Sequence, residues 1–584
     1  MNPLTLLSLA SAAVPAGATG SRIALTLVAL MALLGAGGPL LAAGPVTRPP
    51  QLTAGQPDQT PPQARTAATA TANADAGRLP AAVVAALGRA QLPVESLTVW
   101  VAELGPPPAA PPRLAHRAGQ PVNPASLMKL YTTGAALELL GPAWTWATPV
   151  LATGPAEGGV LQGDLVIQGR GDPTLAIERL WLLLRQVQQR GVREVRGDIL
   201  LDSSAFVLLE RDPADFDGER HRPYNVQPDA LLLNLKAVTL GFLPDPARGV
   251  ARIRTDVPLA GVQIDTSVPL APGDCGDWRG ALKADLSDPA SLRLAGTFPA
   301  ACGEKSWPIA YAQPASYNTR LVDAVWRELG GRIGGRVRPG ATPLGALPLF
   351  EVASPPLAAV VRDINKFSNN VMAQQLFLTL GLQAGRLPAS VPLPNPAAPP
   401  ASPSPSPSPS PSASGSVSAS TAHAVPGGAA PALTPLTPAG ADTAQAARQQ
   451  VESLVRERTA CPADELRIDN GSGLSRESRS SARCLGAWLQ ALWASPVMPE
   501  LMSSLPVSGL DGTANRPGRA WGASLGRAHL KTGSLRDAMG LAGYVLGVSG
   551  RRYAFVAIVN HPNAGAARPA LDALVNWTAD DEAR

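Results

Sequence analysis

Strand-like and helix-like stretches alternate along this sequence and predict a multi-domain α/β protein. Three observations carry that reading. The chain has 584 residues, and 45% are hydrophobic, enough for a sizeable buried core. Short β-like runs are grouped and separated by patterns of helical period. Two low-complexity tracts interrupt them. Pro and Gly, 61 and 56 residues, form about a fifth of the chain against a background of roughly 12%. Beside the hydrophobic fraction, this excludes a wholly disordered or collagen-like chain and assigns the proline excess to local tracts.

In chain order, residues 23–43 (IALTLVALMALLGAGGPLLAA) are apolar, follow Arg22, and close on Ala42, Ala43 and Gly44. Segment 1–44 therefore reads as a signal peptide or anchor, with cleavage near Ala43 or Gly44. The run is long enough to span a bilayer, which leaves a peripheral or N-terminal membrane association open. Gly35, Gly37, Gly38 and Pro39 weaken such a helix and favour cleavage. Segment 45–80, rich in Pro, Ala, Thr and Gln, reads as a disordered tether.

SLTVWVAEL (96–104) and the stretch around Arg113–His116 read as strands. Asn123-Pro124 opens a helix, with Asn as N-cap and Pro at the first helical position, that stops at Gly141-Pro142. Residues 150–350 carry many short β runs, such as GDLVIQG and ARIRTDV. Residues 355–380 are helical with a break at Phe367-Ser368-Asn369-Asn370. Tract 386–440 holds 15 of the 61 prolines and no aromatic residue, and reads as a disordered surface insertion. AHLKTGSL, GLAGYVLG and RRYAFVAIVN follow as strands, the last two joined in a hairpin at Val548-Ser549-Gly550. ALDALVNWTA ends the chain as a helix. No internal repeat is visible.

The formal charge of +5 is small for this length, and no Lys/Arg run reaches five residues, so nucleic-acid binding has no support. Only six basic residues are Lys: 129, 236, 283, 305, 366 and 531. Where Arg is the default cation, a retained Lys points to a need for a titratable amine. The four cysteines, Cys275, Cys302, Cys461 and Cys484, contain no CxxC pair and no zinc spacing. In an exported chain, the nearest-neighbour pairs 275–302 and 461–484 are the simplest of three connectivities.

Ser126-Leu127-Met128-Lys129 places a hydroxyl and an amine on one helix face. A buried Lys can activate such a serine. Lys531-Thr532-Gly533 lies in a β run, where Gly533 would let a substrate backbone come close to the strand. Ser-x-Asn occurs at Ser368-Asn369-Asn370, in the helix break, and at Ser316-Tyr317-Asn318, where a helix cap would explain it. Gly522-Ala523-Ser524-Leu525-Gly526 matches a nucleophile elbow, but lacks a following helix and an ordered Asp and His. The five histidines form no metal motif, and no phosphate-binding fingerprint follows a strand.

Ser-x-x-Lys, Ser-x-Asn and Lys-Thr-Gly in this order are the signature of penicillin-binding proteins and serine β-lactamases. With the flanks NPASLMKLYTT, GDLVIQGRGDPTL, PYNVQPDALLLN, FSNNVMAQQL, DNGSGLSR, LPVSGLDGT and AHLKTGSL, the chain resembles the class C, low-molecular-mass penicillin-binding proteins of the D-alanyl-D-alanine carboxypeptidase/endopeptidase type. The resemblance spans about 121–550. It implies a transpeptidase-like domain, an antiparallel sheet flanked by helices, in two parts (81–148 and 355–584). It also implies two inserted β-rich accessory domains: one at 149–174 and 251–354, the other at 175–250. By that resemblance Ser126 is the acylated nucleophile, Lys129 its base, Ser368 a proton relay, and Asn370 a clamp on the substrate amide. Lys531 and Thr532 bind the terminal carboxylate, and the N–H groups of Ser126 and Ser534 form the oxyanion hole. Arg476 would meet a carboxylate of the stem peptide. The implied protein is a periplasmic DD-peptidase acting on peptidoglycan stem peptides, acylated by β-lactams, without metal or cofactor. A serine β-lactamase and a non-catalytic peptidoglycan-binding protein are the alternatives.

Overall fold

The structure is a computed structural model in which residues 78–105, 111–209, 211–384 and 442–582 are described. The expected leader, nearly all of the tether and the Pro/Ser insertion lie outside these residues. Five strands form the central antiparallel sheet, in the spatial order Leu114–His116, Leu97–Glu103, Arg552–Asn560, Ala538–Leu546 and Ala528–Ser534. Strands 538–546 and 552–560 are apolar at nearly every position and buried along almost their whole length. The cause is cover on both faces. Helices Ala81–Arg89 and Arg568–Ala579 pack on one side, and a larger helical layer packs on the other. That layer contains Lys129–Leu140, Leu357–Phe367, Asn370–Gln383, Thr443–Thr459 and Ala482–Trp493. The expected hairpin turns at Gly550, whose φ of +88° suits glycine.

The helix expected from Asn123-Pro124 starts differently. Ala125–Met128 is a 3₁₀ turn, and the α-helix begins only at Lys129. Asn123 acts as a local cap, its Oδ1 accepting from the Ala125 N–H at 2.9 Å. Ala125 itself takes a left-handed φ of +48°.

The chain leaves this domain through strand Ala147–Ala152 and returns through Leu347–Ala353, which pair antiparallel. Between them lies a β-rich insert with one shared apolar core. One five-stranded sheet runs Val337–Pro339, Ile199–Asp202, Leu165–Gln168, Ala147–Ala152, Leu347–Ala353; another is centred on Ala237–Asp245 and Val250–Thr255. Strand 199–202 pairs with 165–168 and with 337–339. Strand 199–202, which falls within the expected 175–250 segment, is thus hydrogen-bonded to strands of the expected 149–174 and 251–354 segments. Ser316-Tyr317-Asn318 lies inside helix Pro314–Glu328, where Asn318 donates to the Leu231 carbonyl, so it is neither a cap nor a site. Disulfides join Cys275 to Cys302 and Cys461 to Cys484.

Candidate active site

The Ser126 turn, the Ser368 turn and strand 528–534 meet at one edge of the helical layer. Ser126 is half-buried and Lys129 is fully buried. The Lys129 Nζ has three partners: Ser126 Oγ at 3.0 Å, Asn370 Oδ1 at 2.6 Å and the Ser472 carbonyl at 2.6 Å. Burial, reinforced by the nearby Lys531 charge, holds this amine well below the ordinary lysine range.

Helix Leu357–Phe367 ends on Ser368, whose left-handed backbone (φ 58°, ψ 38°) turns the chain sharply. A non-glycine residue there costs roughly 1–2 kcal/mol. Asn369 then caps the next helix, its side chain accepting from the Met372 N–H, and Asn370 opens that helix facing Lys129. The strained turn thus brings two polar side chains, two residues apart, against Lys531 and Lys129.

Lys531 is also fully buried, and its Nζ donates to Ser368 Oγ at 2.8 Å and to the Thr532 carbonyl at 2.6 Å. Burial and the charge of Arg516 bring it down to about 7. The Thr532 hydroxyl lies 2.8 Å from that of Thr513. Gly533 serves packing within the protein: a Cβ there would sit 3.0 Å from the Pro124 carbonyl oxygen and 3.3 Å from the Ala125 Cβ. Glycine at this position allows close contact with the Ser126 turn. Ser534, exposed at the strand end, follows directly.

Arg476 stands apart from this cluster. It is exposed, pairs with Asp537 at 2.8 Å and lies 4.6 Å over the Phe216 ring. With Asn470, Ser475 and Phe216 it lines a cavity of about 190 Å³.

Three contributors lie outside the Ser-x-x-Lys, Ser-x-Asn and Lys-Thr-Gly motifs. The Ser472 carbonyl is backbone, and only its setting between Gly471 and Gly473 marks it. Gly473 (φ +78°) has no room for a Cβ, which would collide with the Ala125 carbonyl oxygen. Asn560 receives the Asn123 N–H at 2.7 Å and donates to the Asn123 carbonyl at 2.9 Å, tying the Ser126 turn to the central sheet. The rejected elbow serine, Ser524, is fully buried and bonded to Asn576 and the Trp521 carbonyl. Among the described residues no group of three or more His, Cys, Asp or Glu side chains could hold a metal ion.

A serine hydroxyl held against a buried, deprotonation-prone lysine, on this sheet-and-helix fold, is the arrangement of a serine hydrolase. The sequence model of the D-Ala-D-Ala carboxypeptidase 3 (S13) family matches residues 95–393 and 437–581, and the chain belongs to that family. It is 27% identical over 469 residues to the D-alanyl-D-alanine carboxypeptidase of Actinomadura sp. (strain R39), covering 77% of this chain and 75% of that protein. It is 22% identical over 444 residues to D-alanyl-D-alanine carboxypeptidase DacB of Haemophilus influenzae, covering 76% and 81%. The fold is similar to the crystal structure of penicillin binding protein 4 (dacB) from Haemophilus influenzae, with a TM-score of 0.63, 20% identity, and coverage of 85% of this chain and 99% of that one.

Proposed function

We propose that the protein is a periplasmic, penicillin-sensitive serine DD-peptidase acting on peptidoglycan stem peptides through an acyl-enzyme on Ser126. The contact set of Lys129 carries this reading. Two of its three partners are carbonyl oxygens, which only accept hydrogen bonds; the third is a hydroxyl, which can donate. A neutral amine has two N–H groups and one lone pair. In that neutral form, N–H groups given to Asn370 and Ser472 leave the lone pair to accept from the Ser126 hydroxyl.

Lys129 takes the Ser126 proton as Oγ attacks the carbonyl carbon of the penultimate D-Ala. The oxyanion that forms is met by the N–H groups of Ser126 and Ser534, whose chain neighbours Ala125 and Gly533 pack together. The C–N bond breaks as Ser368 gives its proton to the leaving amine and receives in exchange the one that Lys129 took, so Lys129 is neutral again. Water, giving a proton to Lys129, then attacks the ester carbonyl; the C–O bond breaks, the peptide leaves as its acid, and that proton returns to Ser126 Oγ. Lys531, as ammonium, and Thr532 bind the terminal carboxylate, and Asn370 also holds the substrate amide. Arg476, steadied by Asp537 and Phe216, meets a carboxylate of the stem peptide.

Cleavage of the terminal D-Ala and of D-Ala–diaminopimelate cross-links uses the same steps with different leaving amines. β-Lactams enter as acyl donors whose leaving group stays tethered. Among the described residues no helix is long and apolar enough to cross a membrane; any N-terminal membrane association rests on the 23–43 run alone. Mass spectrometry of muropeptides after incubation with the protein, and with Ser126→Ala, tests the proposal. Release of D-Ala or of cross-linked halves by the wild type alone supports it. No hydrolysis, with binding that survives Ser126→Ala, contradicts it.

A further inference from the structure

Lys366 and Asp511 form an ion pair that no step of the proposed reaction uses. Lys366 sits in the last turn of helix Leu357–Phe367, two residues before Ser368, and is 5% exposed. Its Nζ donates to Asp511 Oδ2 at 2.5 Å and to the Leu505 carbonyl at 2.6 Å. Asp511 Oδ1 accepts the Val507 N–H at 2.7 Å, so both carboxylate oxygens are engaged. A desolvated ammonium is costly, and only good partners offset it. The partners here belong to a separate segment of the chain, so the pair fixes one segment against the other.

Both segments lead to the site. On one side the chain passes directly from Lys366 into the Ser368 turn. On the other, Asp511 leads to Gly512 and Thr513. A Cβ on Gly512 (φ +53°) would lie 2.7 Å from the Lys366 carbonyl oxygen, so the two backbones touch. Thr513 Oγ1 then bonds Thr532 Oγ1 at 2.8 Å, and the neighbouring Lys531 donates to Ser368 Oγ at 2.8 Å. The contacts close a ring: Ser368, Lys366, Asp511, Thr513, Thr532, Lys531 and back to Ser368.

We propose that Lys366 is a positioning residue for the reaction, which through Asp511 sets the spacing between the Ser368 turn and the Lys531–Thr532 strand. This inference rests on the catalytic reading of Ser126, Ser368 and Lys531 given above. An uncharged side chain at 366 releases the Asp511 segment. Ser368 and Lys531 then lose their register, and misplacement on the scale of 1 Å costs about 10²-fold in rate.

The test uses the full chain and the variants Lys366→Met, Lys366→Arg, Asp511→Asn and the double variant Lys366→Met/Asp511→Asn. Fluorescent penicillin gives two separate readouts: the fraction of protein that can be labelled, and the acylation rate constant of that fraction. D-Ala release from a pentapeptide gives kcat and KM. The expected result for Lys366→Met is near-complete labelling with an acylation rate and a kcat lower by about 10²-fold. Lys366→Arg, which keeps the pair, recovers most of that loss. The double variant is no slower than Lys366→Met, because both changes cut the same link. If Lys366→Met fails to fold, Asp511→Asn, at a part-exposed position, carries the same expectation. A wild-type rate constant in the labelled fraction of Lys366→Met or Asp511→Asn overturns the proposal. So does a loss confined to the size of the labelled fraction, with its rate constant unchanged, which is the mark of a purely structural role. Failure of the wild type itself to label at Ser126 removes the catalytic reading, and this inference with it.

Discussion

The Nζ atom of Lys129 lies 3.0 Å from the Oγ atom of Ser126, while its two shorter contacts, at 2.6 Å, go to oxygens that can only accept. That arrangement orients the amine as well as burying it. A side chain of the same charge that cannot give up its proton should therefore fail as the base.

Lys129→Arg tests this. We expect penicillin acylation to slow by about 10²–10⁴-fold, the range of a lost general base. Stopped-flow labelling with a fluorescent penicillin measures it. A rate within a few-fold of wild type would mean that charge, rather than proton transfer, is what Lys129 supplies.

The two lysines give opposite pH limbs. Lys129 must be neutral to act as base, so activity falls as pH drops through its lowered pKa. Lys531 must be an ammonium to hold a carboxylate; that form is present below about 7 and lost above it. The profile of kcat/KM for D-Ala release should be a bell, with the alkaline limb near neutrality in the free enzyme. Bound substrate, being anionic, raises Lys531 and moves that limb upward in kcat. Lys531→Arg should remove the alkaline limb. The limbs belong to the coupled pair, so a change in one lysine also shifts the other.

Gly473 crosses the Ser126 turn without room for a methyl group. Gly473→Ala should destabilise the fold by about 1–3 kcal/mol, as overpacking does, and slow acylation by displacing Ser126. Thermal melting and penicillin labelling on the same sample check both effects.

The Cys461–Cys484 bridge closes a segment with a sequence separation of 23 that contains Ser472 and Gly473. Replacing both cysteines by Ala should cost about 3 kcal/mol by the loop-entropy model. It should also loosen the carbonyl that Lys129 uses. Denaturant unfolding measures the first effect, and a lower acylation rate constant reports the second.

Much of this site was legible before the fold was seen, because its parts are local. Ser126 and Lys129 are three residues apart, Ser368 and Asn370 two, and Lys531 and Thr532 adjacent. Four of the six lysines, Lys129, Lys531, Lys366 and Lys236, are buried, the last two paired with Asp511 and Asp229. What stayed hidden was backbone chemistry and long-range pairing. The Ser472 carbonyl has no side-chain signature. Asn123 and Asn560 are 437 residues apart. The role of Gly533 could not be read without knowing that strand 528–534 packs on the Ser126 turn. The helix start misled for a related reason: Asn123 caps locally, yet the left-handed Ala125 forces a 3₁₀ turn first. In the insert, short strands pair across long separations, as strand 199–202 does with 337–339.

The central claim is that Ser126 is acylated. Its most direct test is peptide mass spectrometry of the full chain after exposure to benzylpenicillin, with Ser126→Ala alongside. The expected result is one penicilloyl adduct per molecule, on the peptide carrying Ser126 and absent from the variant. An adduct that persists in Ser126→Ala, or no adduct on the folded wild type, would contradict it. Sustained turnover of the drug without a stable adduct would instead identify a β-lactamase.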